Sequence, residues 1–326
     1  MAQTAIEKYR MATDLYLKVI HGTVSETTYD NYRTALEMFG EFYANSQYKD
    51  IDPSALVVAA WKDDLLKTRK PSTVRQYMQR VQIFFAWTLE DGVELYKRNA
   101  VGKKSKPKAE RKPYNPGKIL SPKQIIKLLD PGAATNSMYN TAPRYKARNR
   151  AIVILIMTSG LRSSEVAALT LADLDFENGT VTVQSGKGNK FRISSFPSVA
   201  QEAIEEYMNS GFRPAGVTAD HSLFGTESRD GMWEPMDRFD IANAVMRYVK
   251  AVTGLEHIRG HALRHAYASF ALLQGLPVED ISALLGHSDI KTTEYYLSRL
   301  IPTSSATKGN SVFDGVAEHH PQSLAG

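Results

Sequence analysis

The sequence predicts a mainly α-helical protein in two domains, the second of which carries a small antiparallel β-sheet. Three observations predict this. Apolar side chains recur at helical spacing through the first hundred residues. A basic stretch rich in proline and glycine follows, with almost no large apolar residue to build a core. Beyond it a complete helix start stands at Ser121, and Thr180–Gln184 alternates downstream with the period of a strand. At 326 residues the chain is long enough for two hydrophobic cores.

The elements follow in order. Residues 1–100 read as an all-helical domain. Tyr29, Tyr32, Leu36, Phe39 and Phe42 share one helical face, with Ser25 as N-cap. A second stripe runs Val74, Tyr77, Met78, Val81, Phe84, Phe85 and Leu89; Pro71-Ser72 opens that helix and Gly92 is expected to close it. These aromatics read as core. Arg75 and Arg80 on the polar side fit a solvated face or a groove-contacting one equally well. Residues 101–117 read as a linker. Between Lys97 and Lys118 nine lysines and arginines face a single acid, Glu110, which is more positive charge than the whole chain's net +5. A charge run of this kind is either a solvated connector or a phosphate-binding one, since clustered cations release counterions from nucleic acid. Lys103, Lys104 and Lys106 are its candidate DNA contacts.

A second domain is expected over 118–302. Ser121 caps, Pro122 suits the first helical position, Gln124 completes a capping box, and Leu120 with Ile125 forms a hydrophobic staple. Arg150 to Thr158 reads as a buried helix ended by Ser159-Gly160, and Ser163 to Leu169 as the next. Thr180–Gln184, the turn Gly186-Lys187-Gly188-Asn189 and Phe191-Arg192-Ile193 form a hairpin with Lys187 at its tip. Helices are expected over Val199–Met208, over 241–252, over His261–Gln274 up to Gly275, and over Pro277–Leu285 with Gly286 as its cap. Asp289 would cap a last helix bearing Tyr295 and Tyr296. Residues 303–326 form a tail of mostly small and polar residues.

Composition excludes several chemistries. The chain has no cysteine, which removes disulfides, thiolate catalysis and cysteine zinc sites and fits a reducing cytosol. No apolar run approaches the about 18 residues of a membrane span, and the N-terminus, with Glu7, Lys8 and Arg10, does not read as a signal peptide.

What remains is a set of cations, histidines and a late tyrosine. Cutting a phosphodiester requires a nucleophile, neutralisation of the non-bridging oxygens, a proton acceptor, and a donor for the leaving alkoxide. The segments richest in these groups hold no cluster of carboxylates for magnesium, so the chain would use its own cations. Arginine suits the task, because its planar fork matches phosphate oxygens and stays charged. Arg162 follows Gly160 at a helix start, where a glycine permits close backbone approach and the helix end adds positive potential. Glu165, one turn on, is placed to hold its guanidinium. His261 and Arg264 stand at i and i+3 on one helical face. His261 and His265 also have the spacing of a zinc pair, but no Glu follows the first histidine as in metalloprotease helices.

Taken in order, Gly160-Leu161-Arg162, Ser164-Glu165, Gly186-Lys187-Gly188 with Lys190 and Arg192, His261-x-Leu263-Arg264-His265, Leu284-Leu285-Gly286-His287-Ser288 and Thr292-Thr293-x-x-Tyr296 resemble the tyrosine recombinase (phage integrase) family, most of all its short Xer-type and transposon-type members. The resemblance spans about 118–300. It implies a two-domain DNA clamp, in which a SAM-like helical core-binding domain and a tyrosine-recombinase catalytic domain enclose duplex DNA. It implies catalytic roles for Arg162, Lys187, His261, Arg264 and His287. The family's nucleophile falls nine residues after the second histidine, which selects Tyr296 and leaves Tyr295 as its neighbour. Lys190 and Arg192 are expected as DNA contacts and His265 as packing. The resemblance further implies no cofactor and no metal. Its partner would be double-stranded DNA bearing an inverted-repeat site, bound by a homotetramer that is monomeric when free, with accessory directionality or DNA-bending proteins. A cytoplasmic, nucleoid-associated enzyme of prokaryotic, phage or mobile-element origin is expected. Type IB topoisomerases, telomere resolvases, a non-catalytic DNA-binding relative and a metal-dependent nuclease are the alternatives.

Overall fold

The computed structural model describes residues 3–102, 105–108, 120–134, 143–184, 191–214, 216–228 and 230–286. Lys103, Lys104, Lys187, Lys190, His287, Asp289, Tyr295, Tyr296 and the tail 303–326 lie outside the described residues. The chain divides into two compact units, Met1–Pro113 and Tyr114–Gly326.

Among the described residues the first unit holds four α-helices, α1 (Ala5–Ile20), α2 (Glu26–Ala44), α3 (Ala55–Thr68) and α4 (Pro71–Trp87). Thr4 and Ser25 cap the first two, Thr4 through a full capping box with Glu7. Their apolar faces meet in an aromatic core around Tyr9, whose ring stands edge-on to Phe39, Tyr43 and Phe84. Its hydroxyl donates to the Leu36 carbonyl at 2.8 Å, so the one polar atom of that ring is satisfied inside the core. The helix expected to run to Gly92 ends at Trp87. Thr88 terminates it by donating its hydroxyl to the Phe85 carbonyl, and Leu89, counted into the apolar stripe, is exposed. Gly92, at φ +83°, serves the turn that follows. The chain then packs back on α4. Asn99 donates to the Gln82 carbonyl and Gln82 to the Val101 carbonyl, and Val101, read as the first linker residue, is buried in this core.

The second unit is built around α6 (Pro143–Ser159). From Ala151 to Ile156 every residue is fully buried, because the helix is apolar all round and packs on α8 (Ser198–Asn209), α9 (Arg238–Thr253) and α10 (Gly260–Leu273). It starts seven residues earlier than the apolar run suggests. Before it comes α5 (Pro122–Leu129), whose Ser121–Gln124 capping box forms as the sequence predicts. After it come α7 (Ser163–Ala168) and a three-stranded antiparallel sheet in the order β1 (Leu174–Asp175), β2 (Thr180–Gln184), β3 (Phe191–Ser195). β1 and a second hairpin, β4 (Gly225–Glu227) with β5 (Trp233–Pro235), were not anticipated; strands of two or three residues carry no readable period. α11 (Val278–Leu285) ends the described chain, capped by Gly286 at φ +62°.

The pairing Val183↔Arg192 and Val181↔Ser194 sets the register of β2 and β3. It puts Val181, Val183, Arg192 and Ser194 on the inner face and leaves Phe191 and Ile193 72% and 56% exposed. β3 is thus inverted relative to an ordinary amphipathic strand: its arginine points in and its apolar residues point out.

Candidate active site

The site forms where the C-terminal ends of α6 and α11 meet the N-terminal ends of α7 and α10. α6 is stopped by Gly160, at φ +67°. A side chain there would be strained, and a Cβ would lie 2.6 Å from the Tyr267 ring and 2.9 Å from Leu285. This corrects the expected reason for the glycine. Its missing side chain makes room for α10 and α11, and its carbonyl accepts from Arg264. Ser194 supports the same turn by donating to the Ser159 carbonyl at 2.8 Å. Gly260, the residue before His261, has a comparable cause: a Cβ would stand 2.4 Å from the Ser163 hydroxyl at the start of α7.

Arg162 leaves the turn as the N-cap of α7. Glu165 reaches back to it, accepting the Arg162 amide at 2.7 Å and Nη1 at 2.7 Å. The helix start is therefore already capped by a carboxylate, and the positive potential expected there is spent within the chain. Arg162 donates Nη2 to the Gly286 carbonyl at 2.9 Å, and its side chain remains 40% exposed. Arg264, only 4% exposed, donates Nη1 to the Gly160 carbonyl at 2.7 Å and Nη2 to the Leu285 carbonyl. Arg192, expected as a DNA contact, is instead directed inward: three of its donors are taken by Glu165 and by the Leu284 carbonyl. The physical reason is the register of β3, which turns this side chain away from solvent.

Two features emerge that the sequence did not show. One is the end of α11. Its last carbonyls lack partners within the helix and carry the negative pole of its dipole. Arg192, Arg264 and Arg162 take Leu284, Leu285 and Gly286 in succession. The other is the sharing of Glu165, expected as a partner of Arg162 alone: its side chain is 9% exposed and stands 2.7 Å from Arg162, 2.8 Å from Arg192 and 3.9 Å from Arg264. Burial alone pushes this carboxyl up. The hydrogen bond from Arg192, the amide of Arg162 and the guanidinium charges outweigh it and hold the group at about 2. One negative charge thus faces three positive ones, and the surplus is an attraction for a further anion. The hint for Arg192 was an arginine between two apolar strand residues; for the helix end there was none, since carbonyls have no sequence signature.

His261 stands at the start of α10, exposed at its edge, with its ring against that of His265 at 4.6 Å. Burial of its inner side, Arg264 and Arg162 hold the imidazole below its ordinary 6.5. The shift favours the neutral imidazole, the form that accepts a proton. Of the residues expected in the site, Arg162, Glu165, His261 and Arg264 come together. Arg75, Arg80 and Lys106 belong to the first unit, where exposed Arg75 donates to the Pro107 carbonyl at 3.0 Å. Burial and then Arg75 lower the Lys106 ammonium.

Known proteins carry the same arrangement of chain. The phage integrase family model matches residues 131–300. A relative named tyrosine recombinase XerD, from Ralstonia nicotianae, is 30% identical over 284 residues, covering 84% of each chain. In fold, the chain is similar to the XerH site-specific recombinase bound to its difH substrate before cleavage, with a TM-score of 0.71 at 16% identity over 91% of this chain and 94% of that one. It is likewise similar to the Tn1549 transposon integrase in complex with a circular intermediate DNA, with a TM-score of 0.67 at 17% identity over 98% and 100%. The chain belongs to the phage integrase family. Its class is that of the tyrosine recombinases, and the topoisomerase, telomere-resolvase and non-catalytic alternatives are not favoured. Among the described residues no helix is long and apolar enough to cross a membrane.

Proposed function

We propose that this protein cuts and rejoins double-stranded DNA at a specific site through a tyrosine covalently joined to the 3′ phosphate. The observation that carries the reading is the surplus of positive charge around Glu165, set beside the His261 imidazole. Arg162 and Arg264 neutralise the non-bridging oxygens of the scissile phosphate as charge develops on them. His261 accepts a proton or bonds the phosphate, and His287 hydrogen-bonds it. The Tyr296 hydroxyl attacks phosphorus. A phenol of pKa about 10 is a weak nucleophile at pH 7, so the arginines favour both the phenolate and the pentavalent state. The 5′ oxygen leaves with a proton from Lys187. A phosphodiester is exchanged for a phosphotyrosyl ester of similar energy, so a second 5′ hydroxyl reverses the step on another strand without ATP.

The finer reading is a homotetramer assembled on two inverted-repeat sites from free monomers. It exchanges strands through a Holliday junction in the cytoplasm, with accessory proteins setting direction. The helical and catalytic domains act as the two halves of a clamp joined by the basic segment that follows Val101, with Arg75, Arg80, Lys103, Lys104, Lys106 and Lys190 as phosphate contacts. The purpose is integration, excision or resolution of a mobile element or replicon. Family membership and the DNA held by the XerH and Tn1549 integrase structures support this reading.

The test is covalent capture of a nicked suicide duplex carrying an inverted repeat selected by the protein from a randomised pool. Wild-type protein and Tyr295→Phe form the adduct, and Tyr296→Phe forms none. Capture by Tyr296→Phe, or loss only in Tyr295→Phe, refutes the assignment.

A further inference from the structure

Arg192 makes the most complete polar contact in the site, yet the reaction as described does not use it. Its Nη1 and Nη2 meet the two oxygens of Glu165 at 2.9 and 2.8 Å, and its Nε meets the Leu284 carbonyl at 3.0 Å. A parallel fork onto a carboxylate is the strongest arrangement these two groups form. The same carboxylate holds Arg162. Glu165 is thus shared between a residue that meets the phosphate and one that does not. Without Arg192, a buried carboxylate would have Arg162 as its chief partner, and it would compete with the phosphate for that guanidinium.

We propose that Arg192 is a positioning residue for strand cleavage: it satisfies Glu165 so that Arg162 is oriented by that carboxylate without being captured by it, and it fixes the end of α11 through Leu284. This rests on Arg162 being a phosphate-binding arginine. The strand register that turns Arg192 inward, against the apolar pattern of β3, is the local arrangement that makes the role available.

The test compares single-turnover capture of the suicide duplex by wild type, Arg192→Met, Arg192→Lys, and the double variant Arg192→Met/Glu165→Gln. Loss of the fork slows cleavage by roughly 10- to 100-fold in Arg192→Met, as sub-ångström misplacement of catalytic groups does, while the DNA concentration for half-saturation changes little. Arg192→Lys, with one point of contact, is intermediate. The double variant is about tenfold faster than Arg192→Met, because a neutral amide no longer competes for Arg162. A merely structural role restores stability in urea and cleavage in parallel, because the neutral amide also removes an orphaned buried charge; the positioning role shows the rate deficit and its recovery per folded molecule, under conditions where both variants are fully folded. Wild-type-like cleavage by Arg192→Met, or a double variant no faster than the single one, overturns the proposal. If Arg192→Met does not fold by circular dichroism, Arg192→Lys against Arg192→Lys/Glu165→Gln makes the same comparison. Failure of the wild type to form any adduct strikes the function itself; normal wild-type capture with no effect at Arg192 strikes only this inference.

Discussion

Replacing Gly160 with alanine should damage both stability and catalysis, and the structure separates the two physical causes. At φ +67° an L-residue costs about 1–2 kcal/mol relative to glycine. The added Cβ would also lie 2.6 Å from the Tyr267 ring and 2.9 Å from Leu285. Overpacking of that kind costs about 1–3 kcal/mol, so Gly160→Ala should lose about 3–4 kcal/mol in all. Gly211 is the matched control. Its φ is +70° and no atom lies within 4 Å of its Cβ position, so Gly211→Ala should lose only the backbone cost, about 1 kcal/mol. Hydrogen exchange of α6 peptides reads both, since those amides sit at the centre of the second core and report its most stable openings. The difference of about 2 kcal/mol corresponds to roughly thirtyfold faster exchange in Gly160→Ala than in Gly211→Ala. The Gly160 carbonyl also accepts from Arg264 at 2.7 Å, so cleavage should fall in Gly160→Ala and persist in Gly211→Ala. Equal exchange in the two variants would show that the packing of Tyr267 and Leu285 on this turn is not what requires glycine.

Two further outcomes are expected. Glu165 titrates at about 2 when folded against 4.5 when unpaired, so its stabilisation is complete above 4.5 and is lost as the pH falls towards 2. The difference is about 3 kcal/mol; the stability gap between wild type and Glu165→Gln in urea titrations should close across that window, and a gap independent of pH contradicts the ionised, arginine-bound carboxylate. Lys187→Ala should slow cleavage of ordinary DNA far more than of DNA with a 5′-bridging sulfur, a leaving group that needs no acid; equal losses on both substrates rule out Lys187 as the proton donor.

Much of the fold was legible in local signals. Helix caps at Ser25 and Ser121 and the glycine stops at 275 and 286 form within a few residues, so local backbone geometry marks them; at Gly160 the packing of Tyr267 and Leu285 adds a tertiary cause. The end of α4 was misplaced because Leu89 continues the apolar spacing. Thr88 and the tertiary packing of the chain beyond it decide that terminus, and neither has a periodic mark. Within the site, Arg162, Glu165, His261 and Arg264 were readable because each stands in a short segment of distinctive order. The hairpin pattern points to Arg192 as a DNA contact; the register of β3 and a buried partner on another element direct it inward instead.

The sequence by itself determined the chemistry this protein has at hand: two arginines, a lysine, two histidines and a tyrosine nine residues after the second of them, with no thiol among them. It also determined that the chain is mainly helical, since caps and apolar periods act over one or two turns, though the end of α4 and the start of α6 were set by packing. Only the tertiary structure decided what each charge is used for. Arg162, Arg192 and Arg264 lie up to about a hundred residues apart in sequence and converge on Glu165 and on the last carbonyls of α11. Side-chain charge is a property of composition, but its neutralisation depends on which groups are brought within hydrogen-bonding distance in a low-dielectric interior, and the packing of separate elements sets those distances.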